Sequence, residues 1–387
     1  MRVAVISHAY QDQRYLATLE AMAHSADVQI ALIHPARFKG ITCCWKICGS
    51  VEDVLVSVVF GSRQGAFLYH PFALTAALNQ LEPDLILHEQ EVYALNAAQI
   101  AWVTRRRSIP LVQFVWENVD RSLAWPRRLV RSYVLRTATA LLAGSEGAKW
   151  MHRAWGFRGL IESAPQMSVD IASNPRFGRR GQFVLKIAYV GRLVACKGVD
   201  CLLRAIDLLH RRSIQAELAI AGEGPERGRL IALARELGIW SMVHFRGQLQ
   251  AGDVRQLLQS SDVLVLPSRR TPQWEEQFGL VLAEAMAQAT IPVGSRTGAI
   301  PGVLGIDELL FAENDAQDLA TILQRLATDP EFFLCNQQLV WRRAHDRFAA
   351  DVVSRQKLDI LRRVVEQVRT TKRAAGPGRR ALPTGAH

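Results

Sequence analysis

Short apolar runs alternate with helix-like stretches along most of this chain, and the alternation breaks once. In the first part the runs cover residues 3–7, 28–33, 54–60, 85–88, 111–115 and 140–143. They are too short for core helices and apolar at nearly every position, as strands buried on both faces are. Helical patterns fall between them, over 14–24 and 94–106 for example. Then come Ser163-Ala164-Pro165-Gln166 and Ser173-Asn174-Pro175-Arg176-Phe177-Gly178-Arg179-Arg180-Gly181, whose Pro, Gly, Asn and Arg read as a linker. A second series of runs follows at 185–190, 217–221, 243–245, 263–266 and 291–293. This order predicts an α/β chain of two Rossmann-like, doubly wound domains with a cleft between them. The boundaries expected are 1–175 and 182–347. A helical segment follows over 348–370, and a basic Gly/Pro/Arg-rich tail over 371–387 is expected to be disordered.

Bulk properties narrow the function classes. No stretch reaches the ~20 apolar residues a membrane-spanning helix needs. Met1-Arg2-Val3-Ala4-Val5-Ile6-Ser7 reads as a first strand rather than a leader, so a cytoplasmic location is expected. Six cysteines suit a reducing compartment, and Cys43, Cys44 and Cys48 lack a fourth ligand at zinc spacing, so no metal is expected. The net charge is +11, which points to anionic partners. Five arginines (Arg121, Arg127, Arg128, Arg131, Arg136) and no acid lie between 121 and 136, interleaved with Trp125, Leu129, Val130, Tyr133, Val134 and Leu135. Arg105-Arg106-Arg107 precedes them. Such a helix suits either peripheral contact with an anionic membrane or packing on a sheet with a solvated outer face. No nucleic-acid motif is present, and no nucleic-acid partner is expected.

Three motifs carry chemistry. Glu275-Glu276-Gln277-Phe278-Gly279-Leu280-Val281-Leu282-Ala283-Glu284-Ala285-Met286-Ala287 sets Glu276 before a helix and Glu284 inside it, with Gly279 where the chain can approach an anion. Gly191-Arg192-Leu193-Val194-Ala195-Cys196-Lys197-Gly198 follows a strand and adds two cations at a glycine turn, a unit suited to a leaving phosphate. Ala221-Gly222-Glu223-Gly224-Pro225 makes a tight loop at the sheet edge where open α/β folds bind ligands. The sparer alternatives are an amphipathic helix with a charge at each end and two solvated cations beside a turn.

In order and spacing these motifs resemble the retaining nucleotide-sugar glycosyltransferases of family 4, the group 1 enzymes of GT-B architecture, from about 185 to 304. Val243-His244-Phe245-Arg246-Gly247, Ser261-Asp262-Val263-Leu264-Val265-Leu266-Pro267-Ser268 and Gly298-Ala299-Ile300-Pro301 extend the likeness. Gly302 departs from the family's usual Glu. The resemblance implies that Glu276 meets the donor sugar and Glu284 the ribose, and that Arg192 and Lys197 stabilise the departing diphosphate. Gly191, Gly222, Gly224, Phe278, Gly279 and Leu280 would border the donor. The last helix would cross back to the first domain. The first domain is less orthodox: Ser7-His8-Ala9-Tyr10-Gln11-Asp12 stands where many members carry a Gly-Gly loop. Glu91-Val92-Tyr93-Ala94-Leu95, Trp116-Glu117-Asn118 and Pro165-Gln166-Met167-Ser168-Val169-Asp170 resemble one branch better. That makes Glu117 a candidate catalytic residue and Glu91 and Asn118 acceptor-side candidates, strand-end groups that otherwise serve as caps; His88 reads equally as a core histidine. No Asp-x-Asp occurs, which fits metal-independent chemistry with a nucleoside diphosphate sugar as substrate and no cofactor. A carbohydrate or lipid-linked acceptor, and cell-surface polysaccharide, lipopolysaccharide or glycolipid assembly, are what the resemblance implies. Rival readings are a sugar phosphorylase, a nucleotide-sugar epimerase or a non-catalytic nucleotide-sugar binding partner.

Overall fold

The computed structural model describes the chain except residues 12–14, 39–40, 43–48, 62–64, 180–183 and 375–387. The Cys43, Cys44 and Cys48 cluster, Asp12 and Arg14, the Arg180-Gly181 end of the linker and most of the basic tail lie outside the described residues.

Two parallel sheets organise the chain. The first contains β1 (Arg2–Ser7), β2 (Gln29–Pro35), β3 (Val51–Val56), β4 (Leu85–Glu89), β5 (Leu111–Val115), β6 (Ala140–Ala143) and β7 (Leu160–Ser163), in the order β7-β6-β5-β4-β1-β2-β3. The second contains β8 (Leu185–Val190), β9 (Ala216–Ala221), β10 (Val243–Gly247), β11 (Val263–Leu266), β12 (Ile291–Ser295) and β13 (Leu310–Phe311), in the order β10-β9-β8-β11-β12-β13. Each sheet reverses its winding once, beside its first strand, which makes both domains doubly wound. Central strands are buried throughout: Val3, Val5, Leu85, Leu87 and Val112 face one core, and Ala4, Ile6, Ile86, Leu111 and Val115 the other. This explains why these strands read as unbroken apolar runs.

Two expectations need correction. The third strand is Val51–Val56, three residues before the apolar run that suggested it. It is the edge strand, so Glu52 and Asp53 are tolerated there, and Asp53 Oδ1 lies 2.7 Å from His34 Nε2. After Ser57 the chain turns, and Val58–Val59 pairs antiparallel with Leu68–Tyr69. Second, a strand that the apolar runs did not indicate, Leu160–Ser163, takes in the first linker residue, Ser163: it pairs with β6, and Ala164 N–H donates to Ala143 O at 3.0 Å. The Ser-Ala-Pro composition marks where the strand stops, because Pro165 has no N–H to continue a ladder. The two-residue β13 carries no sequence signal of its own.

The last described residues form two helices, Pro330–Phe348 and Ala350–Ala374. The first starts at Asp329, whose carboxylate accepts from Phe332 N–H at 2.9 Å, with Pro330 in the first turn. Leu358, Ile360, Leu361, Val364 and Val365 of the second pack with Leu19 and Met22 on one face of the first sheet. The chain thus passes between the sheets twice, at one place: Val169 N–H donates to Phe348 O at 2.9 Å. Beside this crossing, Lys357 is fully buried. Its Nζ lies 3.4 Å from Glu89 Oε1 at the end of β4 and donates to Gln166 O. Tyr10 Oη donates to Glu89 Oε1 at 3.1 Å and Gln166 Nε2 to Oε2 at 3.0 Å. Burial pulls the Lys357 ammonium down, and the Glu89 carboxylate opposes that shift. Removing one partner of such a pair strands the other charge. Lys357→Met should therefore lower unfolding free energy by about 3–5 kcal/mol in urea titration. The double variant Lys357→Met/Glu89→Gln should recover most of that loss.

Candidate active site

The carboxyl edge of the second sheet is built by paired turns. After β8 the Tyr189 hydroxyl donates to Arg192 O at 2.9 Å and closes the first turn. Gly191 N–H donates to Ala221 O at 3.0 Å, Leu193 N–H to Glu223 O at 2.9 Å, and Glu226 N–H to Leu193 O at 3.0 Å, zipping that turn to the one after β9. Gly222 is required for this contact: a Cβ there would lie 1.9 Å from Gly191 O. Gly191, Gly222 and Gly224 therefore bring two backbones together beneath the edge. Arg192 stands exposed above it and forms no ion pair among the described residues.

Lys197 and Glu276, 79 residues apart, meet directly. Lys197 Nζ is 2.5 Å from Glu276 Oε2, and Ser268 Oγ donates to the same oxygen at 2.9 Å. The Trp274 ring lies 4.7 Å from the Lys197 ammonium, a cation–π arrangement. Glu276 is 8% exposed, so its carboxylate depends on these partners. Three residues on, Gly279 takes φ +78 and caps the Leu280–Ala287 helix, turning the chain so that the helix starts beside Glu276. A side chain at Gly279 would be strained in this left-handed conformation and would press on Leu266 at 3.0 Å. The Phe278 ring packs edge-on against Phe348, 5.8 Å between centroids. Glu284, one turn into the helix, is not beside Glu276. It lines a cavity of about 480 Å³ with Leu280, Arg255 and Asp170, and Tyr15 and Glu20 of the first domain form its other wall.

Opposite Glu276 stands the loop after β5. Asn118 Nδ2 donates to Glu276 O at 3.0 Å, a contact between the two domains. Glu117 is buried, with Arg121 Nη2 2.5 Å from Oε2 and the Tyr93 hydroxyl donating to the same oxygen at 2.9 Å. Glu91 accepts from the N–H groups of Trp116 at 2.7 Å and Glu117 at 3.0 Å, so its carboxyl braces the loop from below. Trp116 Nε1 donates to Gln166 Oε1 at 3.1 Å, joining the loop to the Glu89–Lys357 pair. His88 lies beneath in the core, its Nδ1 3.1 Å from Gln113 Oε1, and burial pulls its imidazole down to about 3.

Glu276, Lys197, Asn118 and Glu117 thus gather around one point of the cleft. Arg192 sits on the adjoining turn, Glu284 in the neighbouring cavity and Glu91 behind the loop. Sequence reasoning missed Ser268 and Trp274, although Ser268 ends a segment it had singled out. It also missed Tyr93, Arg121, Gln166 and Lys357 as supports, since nothing in their spacing indicates contacts across the fold.

Against this geometry, residues 181–339 match the family described as Glycosyl transferases group 1. That match covers the second domain, the part of the chain that carries Lys197 and Glu276. Among curated relatives, a D-inositol 3-phosphate glycosyltransferase of Corynebacterium kroppenstedtii is 33% identical over 154 residues, 38% of this chain and 33% of that protein. A glycogen synthase of Mycobacterium tuberculosis is 33% identical over 216 residues, 55% of this chain and 51% of that protein. The chain therefore spans between a third and about half the length of these curated relatives. Likeness in fold runs further. Sucrose-phosphate synthase from Thermosynechococcus elongatus superposes with a TM-score of 0.71 at 18% identity, covering 95% of this chain and 100% of that one. Anabaena HepE in complex with UDP and glucose superposes at 0.66 and 17% identity, covering 93% and 99%. The GT-B architecture thus extends over the first domain as well.

Burial pushes the Glu91 carboxyl up to about 8, with Glu117 adding to the rise and the two backbone N–H groups and Arg121 opposing it. An acid whose folded value lies above its unfolded one binds a proton on folding. Its stabilisation is complete below the unfolded value near 4.5 and is lost as pH rises towards 8. Glu91→Gln mimics the protonated acid, so it should flatten the fall in unfolding free energy between pH 5 and 8. Urea titrations across that range check this, and an unchanged slope would contradict it.

Proposed function

We propose that the protein transfers a sugar from a nucleoside diphosphate donor to an acceptor hydroxyl, with retention of configuration and without a metal ion. The observation that carries this reading is the Lys197–Glu276–Ser268 cluster on the donor domain, bonded across the cleft to Asn118. The nucleoside would enter the cavity lined by Glu284 and Leu280, and the diphosphate would lie along the start of the Leu280–Ala287 helix. Arg192 and Lys197 would then face the charge that develops on the leaving phosphate. Glu276 would hold hydroxyls of the donor sugar, its carboxylate kept in place by Ser268 when Lys197 turns to phosphate. UDP and glucose bound to Anabaena HepE, a protein of this fold, support the ligand class.

Retention by a covalent route needs a carboxylate free to attack the sugar carbon. Glu276 is engaged by Lys197 and Ser268, and Glu117 by Arg121 and Tyr93. That arrangement favours front-face substitution, in which the leaving phosphate helps remove the acceptor proton. Domain closure would exclude water and protect the donor from hydrolysis. The absence of an Asp-x-Asp pair, and two cations at the turn after β8, support metal-independent stabilisation.

A thermal-shift panel with UDP, GDP and ADP tests the reading. One nucleotide should raise the melting temperature, equivalent to about 2.7 kcal/mol at a hundredfold excess over Kd. Lys197→Ala should remove that shift and lower transfer from the matching nucleotide sugar at least about a hundredfold. No response to any nucleotide would overturn the proposal, and turnover with inorganic phosphate in place of an acceptor would replace it with phosphorolysis.

A further inference from the structure

One face of the first domain is covered by three helices, Pro71–Leu81, Leu95–Arg107 and Trp125–Thr137. Their inner sides, including Leu74, Leu78, Ile100, Ala101, Val134 and Leu135, share one core. The opposite face of that sheet carries the Ala17–Ala23 and Ala350–Ala374 helices. The three helices contain seven arginines and not one carboxylate. Elsewhere several surface arginines have an acid four residues away, as in Arg211–Asp207, Arg325–Asp329 and Arg355–Asp351. On this face only Arg131 reaches a carboxylate among the described residues, Asp120 at 3.9 Å. Large apolar groups stand out beside these cations: Phe72 is 82% exposed, Trp125 68%, Leu129 62% and Trp102 53%. Arg106 lies over the Trp102 ring at 4.9 Å.

A solvated helix face does not need this combination. Isolated apolar side chains on a surface are ordinary, but tryptophans and a leucine set among unpaired arginines match what an anionic bilayer surface binds. Arginines would meet lipid phosphates while Trp125, Leu129, Phe72 and Trp102 enter the headgroup layer. A polyanion in solution would use the arginines alone and leave the apolar groups without a role. We propose that this three-helix face docks the protein on a membrane rich in anionic lipid. Its placement adds a consequence. Trp125, Arg127 and Arg128 begin the helix that follows the Glu117–Asn118 loop, so the docked edge borders the acceptor side of the cleft. The reacting hydroxyl could then come from a lipid-anchored acceptor.

Flotation with vesicles tests the docking without any need for transfer activity, so it can fail while the proposed function stands, and the reverse. The full chain should float with phosphatidylcholine/phosphatidylglycerol vesicles at a 70:30 ratio and not with pure phosphatidylcholine. Arg127→Glu/Arg128→Glu should weaken flotation at least about tenfold, and so should Trp125→Ser/Leu129→Ser. All four positions are exposed, so melting temperatures should stay close to that of the parent. Arg342→Glu/Arg347→Glu, on exposed residues of the second domain, makes the same charge change and should leave flotation intact. Equal loss in that control would show that net charge alone drives adsorption and would overturn the proposal. Loss with the arginine variant but not with the Trp125/Leu129 variant would identify a soluble-polyanion site instead and would also overturn it.

Discussion

Glu276 is a carboxylate almost withdrawn from water at the point where the two domains touch, and much of the cleft is arranged around it. Taking such a group out of solvent costs several kcal/mol unless charge and hydrogen bonds replace the lost water. Lys197 and Ser268 supply that replacement on the side-chain oxygen. The backbone carbonyl of the same residue is bonded twice, by Asn118 Nδ2 at 3.0 Å and by Ala299 N–H at 2.8 Å. One residue is thus fixed by the turn after β8, the end of β11, the segment after β12 and the first domain. A ligand that competes for Lys197 would change the partners of Glu276, and through Asn118 the change would reach the loop that carries Glu117.

The loop is anchored from the other side as well. Trp116 binds Gln166, Gln166 binds Glu89, and Glu89 is paired with Lys357 of the C-terminal helix. Gln166 belongs to the first passage of the chain between the domains, and Lys357 to the helix just after the second. The two passages touch at Val169 and Phe348, so any hinge motion must turn about that contact. The buried Glu89–Lys357 pair sits on the first-domain side of this hinge. It therefore ties the C-terminal helix to the first domain while the Pro330–Phe348 helix moves with the second. The short break at Ala349 between the two helices is where that difference can be absorbed.

The second domain was legible in the sequence because its chemistry is local. Gly191 to Lys197, Gly222 to Pro225 and Glu276 to Glu284 are contiguous motifs at strand ends, and doubly wound topology brings strand ends to one edge. The meeting of Lys197 with Glu276 follows from the order β8-β11, since the motifs after adjacent parallel strands must be neighbours. What the spacing could not give is their direct contact, or the separation of Glu284 into the adjoining cavity. In the first domain the strands were legible and the supports were not. Glu91, an acceptor-side candidate in the sequence, braces the Trp116–Glu117 backbone, a contact that its spacing did not indicate. Lys357 looked like one more basic residue of a terminal helix, because burial of a lysine depends on a partner 268 positions away. The third strand was misplaced for the same kind of reason. Its two acids are unremarkable at a sheet edge, and edge position is a property of topology.

Charge distribution adds a constraint that the cleft alone does not impose. The proposed donor site calls for positive groups at the turn after β8, and Arg192 and Lys197 would meet that need with two residues. The seven arginines on the outer helices of the first domain lie outside that turn, and their helices hold none of the acidic partners that Arg211, Arg325 and Arg355 have. Self-repulsion of such a cluster destabilises the folded state in proportion to its density. A sequence free to vary would dilute it with glutamates at i,i+4 positions, which also strengthen helices. Their omission across three consecutive surface helices, together with exposed tryptophans on the same face, is a cost that the proposed docking would offset. Because these helices begin at the carboxyl edge of the sheet, Trp125, Arg127 and Arg128 share a rim with the loop that carries Glu117 and Asn118, while Arg105, Arg106, Arg107 and Arg136 lie at the opposite ends. In the proposed docking, membrane contact and acceptor approach would share that rim, an arrangement set by the direction of the strands.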